Sequence, residues 1–530
     1  MNNATYPEIR KAEAAPVVSH QERQERLLRH LERLLPNPAQ ASSFRTSMTT
    51  EPAAAIRLNT LMPGAQQLGA ALRRHATAVP WCDDAFVLAD SERQCGRSLE
   101  HALGAVYIQA KATTLAVEAL DPQPSERVLD MAAAPGGKAT QIAARMQNTG
   151  LLVANEPRRR RIPALVGNLE RCGVHCAVVT RAPGTLLARQ FHNFFDRVLL
   201  DAPCSGDGIL CKNQSMLRYW SVEDARNKSQ QQIGLIRAAF HTLRPGGTLV
   251  YSTCSLSTEE NEEVLLGLMR RYGDLVELLP VHAGIGDSGP LSGEIAQQYP
   301  AAFRHAVRVW PHLHDTEGAF VARIRKTGPS EWRHQDAMVA DEAGSAAECA
   351  MPTSAIAAVE EEPGAAPSAA AATATAGRRY IEAHWGLRIP LPPGHEFAQN
   401  GNDFHLCPSE SDDLRGQLGA LFVRAGMRVA SLNKGHYYLT HQAMAMWSHL
   451  MQSPPSVHLD WTQTQALFAH EPVHLEQPLV PGDVICWHDS RALCRAIVRA
   501  GNRLESFLPR SLRGIKVQRL IPESAADQRS

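Results

Sequence analysis

The sequence predicts an α/β chain built on a doubly wound, mostly parallel sheet, and three observations carry that reading. Between residues 105 and 326, short apolar runs alternate with stretches of helical spacing. The first of these runs, Arg127-Val128-Leu129-Asp130, leads directly into the small-residue segment Ala132-Ala133-Ala134-Pro135-Gly136-Gly137-Lys138. Two later runs end on chemically loaded residues, Asp201 and Cys254. Strands alternating with helices bury a parallel sheet on both faces and leave ligands beyond the carboxyl ends of the strands.

Taken in order, residues 1–20 read as disordered and 21–104 as an α+β extension. In that extension, leucines at 27, 28, 31, 34 and 35 recur at helical spacing from Gln21 to Leu35. Ile56-Arg57-Leu58-Asn59 and Phe86-Val87-Leu88 are strand-like. In the core, Arg127–Asp130 is the first strand and Lys138 to Met146 a helix. Leu151-Leu152-Val153-Ala154, Ala177-Val178-Val179, Arg197-Val198-Leu199-Leu200 and Thr248-Leu249-Val250-Tyr251 follow as strands two to five. Phe320-Val321-Ala322-Arg323-Ile324 is expected as a late antiparallel strand at one edge. Residues 327–376 are rich in Ala, Glu, Pro, Ser and Thr and read as a flexible linker. A second folded α+β unit is expected over 377–520.

The bulk properties agree with this division. A chain of 530 residues with 44% hydrophobic content is globular and too long for one core. Eleven scattered cysteines imply free thiols in a reducing cytoplasm. No secretory signal and no apolar run of membrane-spanning length stands out, so no membrane partner is expected. The net charge is zero, yet seven acids and no Lys or Arg fall between Asp336 and Gly377. Outside that stretch 54 basic residues face 47 acidic ones, a mildly basic balance that permits an RNA partner.

Small residues after the first strand let the backbone pass close to a ligand, and the helix they open offers unpaired N–H groups. Glu156, at the end of the second strand, is placed to accept the ribose hydroxyls of a nucleoside cofactor. Asp201-Ala202-Pro203-Cys204-Ser205-Gly206 closes the fourth strand, and Ser252-Thr253-Cys254-Ser255 follows the fifth. In a doubly wound sheet these ends face one crevice, so Asp201, Cys204 and Cys254 should converge beside the cofactor loop. Cys82, Cys95, Cys211, Cys407, Cys486 and Cys494 read as small core residues. Cys172 and Cys176 lack a second ligand pair at zinc spacing, and no metal is expected. Arg158-Arg159-Arg160-Arg161 reads either as a phosphate contact or as a solvated helix start.

Between Arg57 and Lys326 the ordered motifs resemble the Sun family of RNA 5-methylcytosine methyltransferases, in particular its bacterial small-subunit ribosomal RNA branch. They are Ile56-Arg57-Leu58-Asn59-Thr60, Pro80-Trp81, Tyr107-Ile108-Gln109, the Gly-rich loop and Leu199–Gly208. Leu243-Arg244-Pro245-Gly246-Gly247-Thr248, Ser252–Ser255, Glu259-Glu260-Asn261-Glu262 and Trp310-Pro311-His312 complete them. The resemblance implies a Rossmann-like domain that binds S-adenosylmethionine through residues 132–138, Glu156 and Asp201. It implies attack on cytosine by Cys254, release by Cys204, base recognition by Asp201 and Lys138 beside the base.

Thiolate addition at carbon 6 of the base makes carbon 5 enamine-like, and a thiol suits that step because it ionises near neutrality. The runs Leu432-Asn433-Lys434-Gly435, Tyr437-Tyr438 and Arg495–Leu504 are similar to the RNA-binding tail of that branch, whose last module is PUA-like. The implied partner is ribosomal RNA or the small ribosomal subunit, met by a monomer. Transfer RNA is the alternative substrate, and a non-catalytic RNA-binding assembly factor the alternative function. Two positions depart from the family pattern. Ala182-Pro183 stands where an acid holding the adenine side is usual, and Ala110 follows Gln109 where an acid is common.

Overall fold

The structure, a computed structural model, describes residues 19–35, 37–88, 95–218, 220–281, 295, 297–331, 368–452 and 454–521. Residues 1–18 of the stretch expected to be disordered (1–20) and 332–367 of the expected linker (327–376) lie outside the described residues, whereas Ser19 and His20 are the cap and first residue of a helix. Among the described residues, no helix is long and apolar enough to cross a membrane.

The N-terminal extension opens on the helix His20–Glu32, whose Ser19 cap and Glu22 form a capping box. Its leucines 27, 28 and 31 pack against Phe44 and Trp310. A four-stranded sheet follows, with strands β1 (Ala55–Leu58), β2 (Thr77–Val79), β3 (Cys82–Val87) and β4 (Val106–Ile108) in the order β2-β3-β1-β4.

The central sheet is built from β5 (Arg127–Asp130), β6 (Leu151–Asn155), β7 (Ala177–Thr180), β8 (Phe195–Asp201) and β9 (Leu243–Thr253), which run parallel. Antiparallel strands β10 (Val276–Leu279), β11 (Val307–Val309) and β12 (Ala319–Lys326) extend it beyond β9. Alternate residues divide between two cores. Val128, Leu152, Ala154 and Leu199 face the helices Lys111–Leu120, Gly137–Arg145 and Ile162–Arg171. Leu129, Val153, Val178, Val198 and Leu200 face Gly184–Gln190, Val222–Thr242 and Glu262–Tyr272. Because β5 lies between β8 and β6, the strand order reverses there, and the crevice opens at the carboxyl ends of these three strands.

The late strand is antiparallel as expected, but it is not at the edge. β12 lies between β9 and β10, so its apolar residues are covered on both sides. At the opposite end the sheet gains a strand from across the linker. In the C-terminal unit, β13 (His395–Asn400), β14 (Asp403–Pro408), β15 (Phe422–Ala425), β16 (Met427–Asn433) and β17 (His436–Leu439) come first. Of these, β15 pairs antiparallel with β7, leaving β13-β14-β16-β17 as a separate sheet. Pairing there covers an edge that would otherwise expose unpaired backbone groups.

The remaining strands β18 (Ser456–His458), β19 (Val473–His474), β20 (Gly482–His488), β21 (Arg491–Arg499) and β22 (Arg503–Ser506) form a five-stranded sheet. It is tied back to the extension by Glu100, which accepts from Arg491 Nη1 at 2.8 Å and from Leu520 N at 3.1 Å. The Ala-rich end of the expected linker departs from coil. Residues from Ser368 onward form the helix Ser368–Trp385, as the high helix propensity of alanine favours.

Candidate active site

Each crevice residue sits at or just past a strand end. Asp130 ends β5, Glu156 follows β6, Asp201 ends β8 and Cys254 follows β9. The pairing Asp201↔Ser252 fixes β8 and β9 in register, which brings the two cysteine loops side by side. Cys204 Sγ lies 2.9 Å from Cys254 Sγ; both are half-buried free thiols. Lys138 Nζ donates to Asp201 Oδ2 at 2.8 Å, and Ser252 Oγ donates to Asp201 Oδ1 at 2.8 Å. The convergence expected for Asp201, Cys204, Cys254 and Lys138 is thus present.

The electrostatics follow from which groups find partners. Burial alone would lower the pKa of Lys138, but the carboxylates of Asp201 and Asp130 outweigh it and raise it, so the ammonium persists. Asp130 is 1% exposed, and neither carboxyl oxygen has a side-chain hydrogen-bond partner; the backbone of Ala132 is the one hydrogen-bonding group that acts on it among the described residues. Burial pushes it up to about 7, against the pull of Lys138. The Cys204 thiol is raised well above its ordinary value, first by its hydrogen bond with Cys254, then by burial and by the charges of Cys254, Glu260 and Asp201.

The loop from Ala132 to Gly137 carries two geometric demands. Gly136 has φ +115, a conformation side chains rarely adopt. At Gly137 a Cβ would come 3.3 Å from the Tyr107 ring. Ala133 N donates to Asn155 O at 2.8 Å, and Asn168 Nδ2 holds Pro135 O at 2.9 Å. The buried Arg57 ties the extension to this helix, bonding Gln109 Oε1 at 3.1 Å and Thr140 Oγ1 at 2.8 Å. Glu156 accepts from Arg158 N at 2.8 Å and pairs with Arg161 at 3.0 Å, while Arg161 Nη2 reaches Ala134 O at 2.5 Å. The arginine run is therefore split: Arg158, Arg159 and Arg160 are exposed, whereas Arg161 turns into the cofactor loop.

The two departures differ in how their backbone is held. Ala182 is fully buried; Asn155 Oδ1 takes its N–H at 3.0 Å and Asn155 Nδ2 donates to its carbonyl at 2.9 Å. The same amide bonds Thr180 Oγ1 and Met131 O, so Asn155 joins the ends of β5, β6 and β7. Ala110 precedes the helix Lys111–Leu120, which has no side-chain cap.

The donor set fits S-adenosylmethionine. The buried Asp130 carboxyl, without a side-chain hydrogen-bond partner, suits its ammonium group, the N-terminus of the Gly137–Arg145 helix suits its carboxylate, and Glu156 suits its ribose. Asp130, Ser252, Asn155 and Arg161 were not among the residues singled out for the site. The signal for Asp130 was its place at the end of the first strand; nothing in the sequence distinguishes Ser252 or Asn155. Among the described residues no cluster of metal-ligating side chains occurs.

Comparison with known proteins sets this geometry in a family. The family model of 16S rRNA methyltransferase RsmB/F matches residues 117–325, and that of the N-terminal domain of 16S rRNA methyltransferase RsmF matches residues 25–111. Ribosomal RNA small subunit methyltransferase F of Aeromonas salmonicida is 34% identical over 495 residues, covering 92% of this chain and 96% of that protein. The corresponding protein of Erwinia tasmaniensis is 32% identical over 91% of this chain and 95% of its own length. A crystal structure of a methyltransferase homolog protein from Pyrococcus horikoshii aligns with a TM-score of 0.50 at 31% identity, over 59% of this chain and all of that one. With two family models matched and relatives similar over nearly the whole chain, the chain belongs to the RsmB/F family of 16S ribosomal RNA methyltransferases and is an RNA methyltransferase.

Proposed function

We propose that the chain methylates carbon 5 of one cytosine in small-subunit ribosomal RNA, with Cys254 as nucleophile and Cys204 as the base that frees the product. The observation that carries this reading is the 2.9 Å contact of the two thiols beside the Lys138–Asp201 pair. The Cys254 thiolate adds to carbon 6, and the electron pair of the ring double bond moves toward carbon 5. Asp201, held by Lys138 and Ser252, faces the base edge at ring nitrogen 3 and the amino group and steadies the charge that develops there. S-adenosylmethionine, bound by residues 132–138, Asp130 and Glu156, supplies the electrophilic methyl group.

Release reverses the addition. Cys204, as a thiolate, takes the carbon 5 proton. The C–H electron pair re-forms the ring double bond, the bond from carbon 6 to Cys254 breaks, and Cys254 leaves as a thiolate. The order of events is supported by what holds Cys204 protonated. Its first cause is the hydrogen bond with Cys254, and that bond lapses once Cys254 is bonded to carbon 6. Cys204 therefore becomes easier to ionise at the stage when a base is needed.

The C-terminal unit, 377–520, is read as a PUA-like module that grips RNA. The Lys434–Gly435 turn between β16 and β17 is exposed. On β21 the buried Arg495, paired with Asp483 at 2.6 Å, lies 4.3 Å from the Tyr438 ring centroid and 3.8 Å from that of Phe507. In this reading the chain works as a cytoplasmic monomer. A rival reading, a non-catalytic assembly factor, draws on the absence of an acid at Ala182-Pro183.

The test is tritiated methyl transfer to small subunits, deproteinised ribosomal RNA and transfer RNA, with bisulfite sequencing of RNA from a deletion strain. Loss of a single ribosomal 5-methylcytosine is expected. Transfer to transfer RNA alone would change the substrate, and RNA binding without any transfer would overturn the enzymatic reading.

A further inference from the structure

Two carboxylates that the mechanism does not use lie directly behind the thiols. Asp207 belongs to the loop that carries Cys204, yet it grips the loop of Cys254. Asp207 Oδ2 accepts from Ser255 Oγ at 2.9 Å and from Ser257 Oγ, and its Oδ1 accepts from Leu256 N at 2.5 Å. Glu260 follows Cys254 in the chain, yet it grips the loop of Cys204. Glu260 Oε2 accepts from Ser205 N at 2.9 Å and from Gln232 Nε2 at 2.8 Å, and Oε1 accepts from Ser205 Oγ. The same Gln232 amide donates to Pro203 O at 2.9 Å, so both neighbours of Cys204 are held. The two loops also touch through Gly208 N, which donates to Cys254 O at 2.9 Å. A Cβ on Gly208 would come 2.7 Å from that oxygen, so only glycine permits the crossing.

Both carboxylates are fully buried, and no Lys or Arg is among their hydrogen-bonding or ion-pair partners in the described residues. Each accepts at least three hydrogen bonds, yet burial without a cationic partner still costs free energy that a neutral side chain would avoid. Burial also raises the pKa of both, that of Glu260 to about 7 with the charge of Asp207 as the second cause. Ordinary loop packing does not account for two of them exchanged across the pair of thiols. We propose that Asp207 and Glu260 form a reciprocal clasp that sets the spacing of the thiols, Glu260 being the positioning residue for Cys204 and Asp207 the positioning residue for Cys254. This rests on the assignment of attack to Cys254 and release to Cys204. The clasp divides accordingly: loosening Glu260 should impair release, and loosening Asp207 should impair attack.

The experiment is single-turnover methylation by the full chain, with S-adenosylmethionine and small subunits from a deletion strain. Adduct formation and adduct decay are followed separately on denaturing gels. Glu260→Gln is expected to slow decay about tenfold or more while adduct formation stays within about twofold of wild type. Asp207→Asn is expected to slow formation instead. In the double variant Cys204→Ala/Glu260→Gln, decay should match that of Cys204→Ala alone, because Glu260 acts through Cys204. Gln232→Ala, which removes the Pro203 contact, should slow decay in the same direction and serves where Glu260→Gln misfolds.

Equal slowing of both steps by Glu260→Gln would mean general support of the crevice and would overturn the clasp. So would faster decay, the outcome expected if removal of a negative charge merely eased ionisation of Cys204. Failure of Cys204→Ala itself to retain the adduct would instead strike the assignment of release, leaving the clasp without its premise and rejecting both.

Discussion

Two settings of buried charge in this molecule contrast most clearly, the ion pairs and carbonyl contacts behind β9 and the carboxyl at the crevice. Behind β9, Arg308 is 1% exposed and donates to both oxygens of Glu262, at 2.9 and 2.7 Å, and to Leu256 O at 3.1 Å. Lys326, also buried, gives its ammonium to Asn193 Oδ1, Phe240 O and Leu243 O at 2.7, 3.0 and 2.6 Å. These groups are satisfied within the chain. At the crevice, Asp130 is as deeply buried as Arg308 but has no side-chain hydrogen-bond partner, only the backbone of Ala132 as a hydrogen-bonding group acting on it. A buried carboxyl without a side-chain partner, set at the strand ends beside Lys138 and Asp201, is the group that a positively charged ligand would pair with.

Breaking the comparison at its chemical end should give the largest effect. Cys254→Ala is expected to lower methyl transfer by about 10⁴-fold or more, measured by tritium incorporation, with the thermal midpoint unchanged. Breaking it at its structural end comes next. Arg308→Leu leaves the Glu262 carboxylate buried and alone, and should cost about 3–5 kcal/mol in denaturant unfolding. Asp130→Asn falls between the two settings. It should weaken S-adenosylmethionine by about tenfold, roughly 1.4 kcal/mol, in calorimetric titration.

The same variant sharpens the contrast through pH. The folded-state pKa of Asp130 is raised to about 7, so its proton is held more tightly folded than unfolded. The associated stability is complete below the ordinary carboxyl range and is lost as pH rises through about 7. The free wild-type protein should therefore lose thermal stability as pH rises from about 4 to about 7 and show no further loss from this group above that, and Asp130→Asn should flatten that slope. The smallest effect is expected at an exposed pair. Arg325 and Glu277, 3.4 Å apart and about half exposed, should tolerate Glu277→Gln within about 0.5 kcal/mol.

How much could be read in the sequence depended on how local each feature is. The strands of the central sheet were legible because runs such as Val128-Leu129 and Val198-Leu199-Leu200 are apolar without interruption, as strands covered on both faces must be. The placement of Asp201, Cys204 and Cys254 followed from motif and strand order together. The addition of β15 to β7 was not legible, since Phe422-Val423-Arg424-Ala425 carries no mark of a partner on the far side of the linker. Arg161 could not be told from its three exposed neighbours, because its inward turn is set by Glu156 and Ala134. The partners of Asp207 and Glu260 were hidden for a related reason: each grips the loop of the other, and only the crossing at Gly208 brings them together.

The division of labour between the two thiols is tested most directly by incubating Cys254→Ala and Cys204→Ala with S-adenosylmethionine and unmethylated small subunits and resolving the products on a denaturing gel. Attack by Cys254 and release by Cys204 predict no adduct in the first variant and an accumulating covalent protein–RNA complex in the second. The reverse pattern, with the complex held by Cys254→Ala and absent from Cys204→Ala, would contradict the account.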